Sequence, residues 1–544
     1  LMLKSRLCIA FFAFAVGCAP AQKPLTDYVN PMLGTATLWD SVDLGFKPTK
    51  RTWGAEVFPG SSLPNAMVQV SPVTKFHSGA GYQYEDSVIY GFTHTNKGHW
   101  NLCHIPLLPV TGTPTPGDYC SPFSHERESA APGYYQVFLD RYGVDAQLSS
   151  TLRCAFHKYT YPAGAAASLL ADLQRSNEHV RAWDIRKEGD NVFAGWQQTG
   201  EKMYFYAVAN RPVTGIEPVV EGDREVRIVR FGEGDGALEL RIGFSFVSEK
   251  NARENLEAEM LGKSFAEVRS EATATWNDLL GRIRVEGGTE REKGLFYSSL
   301  YRSFLWPALR SDVNGEFTDV DGKVINPGFR YYTGPSYWDD YRNKLILLGM
   351  LAPDVAADVI SSDTDKGEKR GGFMPTFFHG DHASAFVAGT YLRGNRGFDV
   401  NRAYNLVLRN ATVQGPSRPW LDEYIAKGYI SEMDVENPVT WTVCKAAVTK
   451  TLEYSYDDYA VALLADALGD KENRDMLMKR TSNYKNLFDP STGLMRGRLE
   501  NSEWITPFDD QYPYYEYMYR EANAWQQAFF APHDTEGLMG LFPS

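Results

Sequence analysis

The sequence predicts a two-part β + α protein, an antiparallel β-sandwich followed by an α/α toroid, and three observations carry this. Residues Leu238, Leu240, Ile242, Phe244 and Phe246 alternate with Glu239, Arg241, Gly243 and Ser245, a strict period of two that leaves one sheet face buried and one wet. Near residue 249 the period changes to that of helices. A chain of 544 residues is also too long for one ordinary core.

Taken in order, residues 1–18 read as a lipoprotein-type export signal. Lys4 and Arg6 precede the apolar run Leu7 to Val16, which is too short to span a bilayer, and Ala15-Val16-Gly17-Cys18 has the form of a lipidation site. Cleavage at an ordinary signal nearby is the alternative. Either way the protein is expected outside the cytoplasm, in the periplasm or on the cell surface, held to the membrane only through a lipid on Cys18. Residues 24–248 are assigned to the sandwich. Val226 with Ile228, and Leu152 with Cys154 and Phe156, repeat the alternation, and many short runs are separated by Gly, Pro, Asn and Asp. The loop-like segments here are Trp53 to Gly60 and Gly91 to Thr95.

Residues 249–285 read as a helical linker, since Glu249 to Arg282 is rich in Ala, Glu, Leu and Lys without an internal proline. Residues 286–544 are assigned to the toroid. Its stripes are Phe296, Leu300 and Phe304, ended by Pro307; Ala383, Phe386, Val387, Thr390 and Tyr391; and Leu452, Tyr456, Tyr459, Leu463 and Ala467, stopped by Gly469. Cys103, Cys120, Cys154 and Cys444 lie outside the leader without metal-like spacing, and either pair or stay as buried thiols.

The net charge of −13 argues against nucleic-acid binding, and no basic stripe offsets it. The 31 Tyr, 30 Phe and 12 Trp supply flat rings suited to sugars, although most belong to the core. Three clusters could carry chemistry. In Tyr519 to Gln526, Glu521 lies among Tyr, Trp and Phe; desolvation there would keep a carboxylic acid protonated, as a general acid requires. The structural alternative is an arginine pair bracing a helix start. In Tyr337 to Arg342, Trp338, Asp339 and Arg342 offer a stacking ring, a carboxylate and a guanidinium for hydroxyls; a helix N-terminus with acidic residues explains the same pattern. In Phe378 to Ala383, His379 and His382 lack a third histidine at zinc spacing, and Asp381 reads as a helix cap. His94, His99 and His104 are expected to make local hydrogen bonds. No Walker loop, dinucleotide fingerprint or G-x-S-x-G elbow is present.

An ordered series of segments resembles glycoside hydrolase family 92, the bacterial exo-α-mannosidases. It runs from Tyr28 to Thr35 through Phe58-Pro59-Gly60, Met67 to Pro72, Gly91 to Thr95, Pro132 to Tyr135, Ser311 to Gly315, Trp338-Asp339, Gly380 to Ala383, Thr451 to Tyr454 with Asp457-Asp458-Tyr459, and Glu521-Ala522-Asn523-Ala524-Trp525. The resemblance implies a sandwich and an (α/α)6 barrel with the site at their junction. It implies hydrolysis of terminal α-linked mannose, taken as α-1,2, from glycans with inversion, and Ca²⁺ holding the O2 and O3 hydroxyls of the terminal sugar. It makes Glu521 the general acid and Asp339 a sugar ligand; Trp338, Arg342, Asp381, Trp53 and Trp100 are the further candidate substrate contacts. After His94-Thr95 the chain departs from the family with Asn96 to Trp100, which affects the leaving-group side. The family's G-N-E-P and N-D-D-x-G segments have no counterpart before Ser544, so the barrel is expected to be incomplete and the general base and calcium ligands absent. The rivals are a non-catalytic carbohydrate-binding surface lipoprotein and a mannose-phosphodiester hydrolase.

Overall fold

The computed structural model describes residues 23–37, 54–96 and 102–542. The leader with Cys18, and also Trp53, His99 and Trp100, lie outside the described residues. Among the described residues the first half holds two large antiparallel sheets, with a small two-stranded one formed by Val88–Ile89 and Ser121–Pro122. The seven-stranded sheet runs in the order Ser61–Ser62, Gln69–Val73, Gly91–Thr93, Leu107–Val110, Ser168–Ala171, Arg224–Phe231, Val213–Glu221. The eight-stranded sheet runs Ala182–Gly189, Val192–Gln198, Lys202–Ala209, Leu238–Ser245, Cys154–Thr160, Val144–Ser150, Tyr134–Leu139, Glu128–Ala131. Their inner faces share one apolar core that includes Leu170 and Ile228 from one sheet and Leu148, Leu240 and Ile242 from the other. Gly91–Thr93 is therefore a buried strand rather than a loop, paired with Gln69–Val73 on one side.

The outer face of the larger sheet corrects the expectation of a wet surface along Leu238 to Phe246. Gly243 and Ser245 are buried because the helix Glu249–Glu259 lies across them. A Cβ at Gly243 would come within 2.1 Å of the Ala252 carbonyl, so glycine is what allows this approach. Cys154 and Phe156 belong to the same outer face and pack with Leu256, Met260, Phe265 and Val268 in a small second core. The helix Phe265–Leu280 begins with a capping box between Ser264 and Glu267. Both helices thus cover the sheet instead of standing off it.

The second half is helical. Its longer helices are Glu290–Ser303, Pro353–Lys369, Ala383–Leu392, Val400–Thr412, Ala447–Leu468 and Lys471–Arg480, and the described helices do not close into a barrel. The helix Glu290–Ser303 ends before Pro307, and its buried stripe is Tyr297, Leu300 and Tyr301, with Phe296 on the exposed side. The helix Ala447–Leu468 also differs from the expected amphipathic pattern. Tyr456, Tyr459 and Leu463 are its half-exposed side, while Glu453, Asp457 and Asp458 point inward. Neighbours surround this helix, so its charges are buried and must be paired. Arg418 does much of this, reaching Asp381 at 3.0 Å and Asp458 at 2.6 Å. Among the described residues, Cys103, Cys120, Cys154 and Cys444 form no disulfide with one another.

Candidate active site

A cavity of about 920 Å³ opens where the two halves meet. The sheet half contributes Val57, Phe58, Gln69 and Asn96, and the helical half Trp306, Trp338, Asp339, Phe378, Tyr515 and Glu521. Its walls are fixed by a few buried amides. Gln69 Nε2 donates to the Leu305 carbonyl at 2.8 Å, and Gln69 Oε1 accepts from the Asn96 backbone N–H at 2.8 Å, so one side chain ties both halves of the wall. Asn65 Nδ2 donates to the Pro307 carbonyl at 2.8 Å beside it. On the same rim Arg302 Nη2 donates to the carbonyls of Pro31 and Leu33, which holds the N-terminal segment against the helical half.

Glu521 stands at the entrance to the short helix Ala524–Gln527. Asn523 is the N-cap: its side chain accepts from the Gln526 N–H, and Gln526 reaches back to the Asn523 N–H, a reciprocal capping box. Glu521 itself has φ 50°, in the left-handed region, and its N–H donates to the Tyr515 carbonyl at 2.7 Å. The Tyr515 hydroxyl donates to Glu521 Oε1 at 3.0 Å. Arg520, the guanidinium next to it, is instead engaged by Glu516 at 2.9 Å and lies over the Phe378 ring. Two expectations are corrected here. Glu521 is exposed to the cavity mouth rather than enclosed by aromatic rings, and Trp525 is turned away, 53% exposed with its indole N–H on Asp510. A ligand in the cavity, not the protein alone, would remove water from this carboxyl.

Trp338 and Asp339 lie in the one-turn helix Tyr337–Asp340. Both patterns read from this segment coexist. Asp340 braces the turn, accepting from the Ser336 N–H at 3.2 Å and pairing with Lys344 at 3.1 Å, while Asp339 and the Trp338 ring line the cavity. The other candidates are placed elsewhere. Arg342 is exposed and donates to the Tyr341 hydroxyl at 3.1 Å, outside the cavity lining. Asp381 is fully buried, accepting from Arg418, Asn410 and Ser384; it does not cap Ala383–Leu392, where His382 is the N-cap residue and makes no side-chain cap bond.

Beneath the cavity, burial first and then Lys450 push His379 down to about 2, with Lys450 Nζ donating to its Nδ1 at 3.0 Å. Burial lowers Lys450 in turn to about 8. His382 behaves oppositely: burial opposes its charge, but Asp457 and then Glu453 outweigh it and push it up to about 10. Among the described residues, no three His, Cys, Asp or Glu side chains converge on a metal-sized point. The sequence reading missed Tyr515, and gave no individual role to Gln69, Asn96 and Phe378 although each lies in a segment it quoted. Gln69 carried a signal, a lone amide inside the otherwise apolar run from Met67 to Val70. Tyr515 sits in an aromatic-rich stretch that gave no reason to single it out.

The glycosyl hydrolase family 92 N-terminal domain profile matches residues 28–254, and the catalytic domain profile of the same family matches residues 251–544. Among solved structures, an α-mannosidase of family GH92 from Bacteroides thetaiotaomicron superposes with a TM-score of 0.85 at 27% identity, covering 96% of this chain and 73% of that one. Its complex with mannoimidazole gives 0.84 at 27% identity over 95% and 72%. An inverting mannosidase of the family from the same bacterium gives 0.83 at 24% identity over 95% and 72%, a likeness of fold. An uncharacterized secreted glycosidase of Arthroderma benhamiae is 24% identical over 94% of this chain and 71% of its own length. With both profiles together spanning nearly all the described residues, the chain belongs to glycosyl hydrolase family 92.

Proposed function

We propose that the protein is an exported exo-acting α-mannosidase that removes terminal α-1,2-linked mannose from glycans by single displacement, with Glu521 as general acid. One observation carries this: Glu521, held by the Tyr515 hydroxyl, shares a single cavity with Trp338 and Asp339, although the two segments lie far apart in the chain. The cavity's size and its mixture of rings with a few polar groups suit a sugar. The activity stated for the Bacteroides α-mannosidase, and its binding of mannoimidazole, support mannose as the sugar. In the proposed roles, Trp338 stacks against the terminal ring, Asp339 accepts hydrogen bonds from its hydroxyls, and Glu521 donates a proton to the departing glycosidic oxygen. Single displacement also requires a second carboxylate, roughly 6.5–9.5 Å from the acid, to activate water. Neither Asp339, turned to the sugar, nor Asp340, paired with Lys344, is assigned that role. Ca²⁺ enters from the family resemblance alone, as the group that would hold two sugar hydroxyls. Export is supported by the leader pattern in residues 1–18 and by the secreted relative; lipid attachment at Cys18 rests on the leader pattern alone.

The test is to incubate the full-length protein with an α-1,2-mannobiose and follow the released sugar by proton NMR. Release of mannose first as the β-anomer is expected. Initial release of the α-anomer, or no release of mannose from any α-mannoside, overturns the proposal.

A further inference from the structure

The cavity wall that carries Trp338 is backed by a buried charged strut. Trp338 Nε1–H donates to Glu453 Oε1 at 2.8 Å. Glu453 belongs to the central helix Ala447–Leu468, is 2% exposed and does not itself line the cavity. His382 lies behind it, with Nε2 3.8 Å from Glu453 Oε1 and Nδ1–H donating to Asp457 Oδ1 at 2.9 Å. The other oxygen of Asp457 accepts from the Asp381 backbone N–H at 2.6 Å, which anchors the strut to the start of a second helix. The Tyr341 ring stacks on His382 at 3.8 Å between centroids and closes its open face. Gly380 makes the arrangement possible. A Cβ there would sit 2.6 Å from His382 Nε2 and 3.0 Å from Glu453 Oε2, and its φ of 67° also favours glycine.

A buried carboxylate needs a counter-charge, and His382 supplies it. That explains an ion pair, but not where its one good hydrogen bond goes. Glu453 spends that bond on a ring facing the cavity rather than on the helical scaffold. A charged acceptor makes the bond shorter and stronger than a neutral one, and a single such bond at the indole N–H removes the freedom of the ring to turn about its side-chain torsions.

We propose that Glu453, braced by His382, is a positioning residue that sets the Trp338 ring in the cavity and with it the orientation in which a bound sugar meets the wall. This rests on the reading that the cavity takes a sugar, and its test separates the two. Protein labelled with ¹⁵N at the tryptophan indoles gives the Trp338 N–H resonance, identified by its loss in Trp338→Phe. In Glu453→Ala that resonance is expected to move upfield, and its solvent exchange to quicken by about tenfold or more. Glu453→Gln, which keeps an acceptor without the charge, is expected to lie between that variant and wild type. Gly380→Ala, which changes neither partner but forces them apart, is expected to move the same resonance; it serves if Glu453→Ala does not fold. For mannoside hydrolysis, Glu453→Ala is expected to raise KM about tenfold with a smaller change in kcat, and Glu453→Gln to recover most of that loss. Combined with Trp338→Phe, it is expected to weaken mannoimidazole binding no further than Trp338→Phe alone. An unmoved Trp338 resonance in all three strut variants overturns the proposal, as do losses that multiply in the double variant. If wild type neither binds mannoimidazole nor releases mannose, the sugar reading fails, while the resonance still decides whether Glu453 positions the ring.

Discussion

At the scale of single residues, the surroundings of Glu521, the proposed acid, explain how it is aimed. A non-glycine residue with φ 50° is held in a conformation costing about 1–2 kcal/mol, and Phe378 across the same cavity has φ 67°. Such conformations persist where the surroundings hold them, here the capped turn on one side and the Tyr515 carbonyl on the other. Replacing Glu521 by Gln is expected to lower kcat by about 10²–10⁴, with the smallest loss for a dinitrophenyl mannoside whose leaving group needs no proton. Steady-state rates on that substrate and on mannobiose provide the comparison. Equal losses on both would remove Glu521 from the acid role.

At the scale of elements, two small devices hold the cavity together, and each can be removed alone. Asn523→Ala deletes the cap of Ala524–Gln527 and is expected to cost about 1 kcal/mol of stability. Because the cap also fixes the turn that presents Glu521, kcat should fall at temperatures where the variant is still folded. Thermal melts and rates on the same sample test this, and unchanged turnover would mean the turn is held by other contacts. Gln69→Ala strands the Asn96 N–H and the Leu305 carbonyl, each an unsatisfied buried group worth about 1–3 kcal/mol. A lower urea midpoint together with a raised KM is expected, since both wall segments lose their tie.

At the scale of the whole molecule, neutral buried histidines make stability depend on pH. His94 is pushed down from 6.5 to about 3 and His104 to about 4, both chiefly by burial, and His157 is driven well below its ordinary value for the same reason. Their hydrogen bonds determine the tautomers. His94 Nδ1–H donates to the Ile105 carbonyl, so its Nε2 must accept from His157 Nε2–H at 3.0 Å, and His157 Nδ1 accepts from the Tyr159 hydroxyl at 2.5 Å. A proton added to His94 would face another N–H. At these three positions the unfolded chain takes up protons below pH 6.5 while the folded chain does not, so their contribution to stability is full above 6.5 and falls as the pH drops towards 4. Each such histidine contributes about 1.4 kcal/mol per pH unit in that window. Urea midpoints should fall as the pH is lowered from 6.5 to 4.5; a flat profile over that window would contradict neutral histidines in the sandwich core. On the proposed calcium dependence, EDTA should abolish mannose release by the full-length protein, and added Ca²⁺ should restore it. Full activity in chelator would leave the calcium inference without support.

Periodicity alone made the order of sheet then helices legible, because alternation along Leu238 to Phe246 and helical spacing after residue 249 report which side of each segment is apolar. The resemblance series added the family and singled out Glu521, Trp338 and Asp339. Only the tertiary structure decided what covers each face and which distant residues meet. Gly243 and Ser245 are buried because a helix crosses them, and Tyr456 and Tyr459 stay half-exposed because their helix turns its charged side inward. Arg342 and Asp381, neighbours in sequence of cavity residues, point away from the cavity, whereas Gln69 and Tyr515 join it from separate elements. The reason is physical: a local pattern encodes how strongly a side chain avoids water, but a cavity is a property of surfaces brought together by packing, and no single segment contains it.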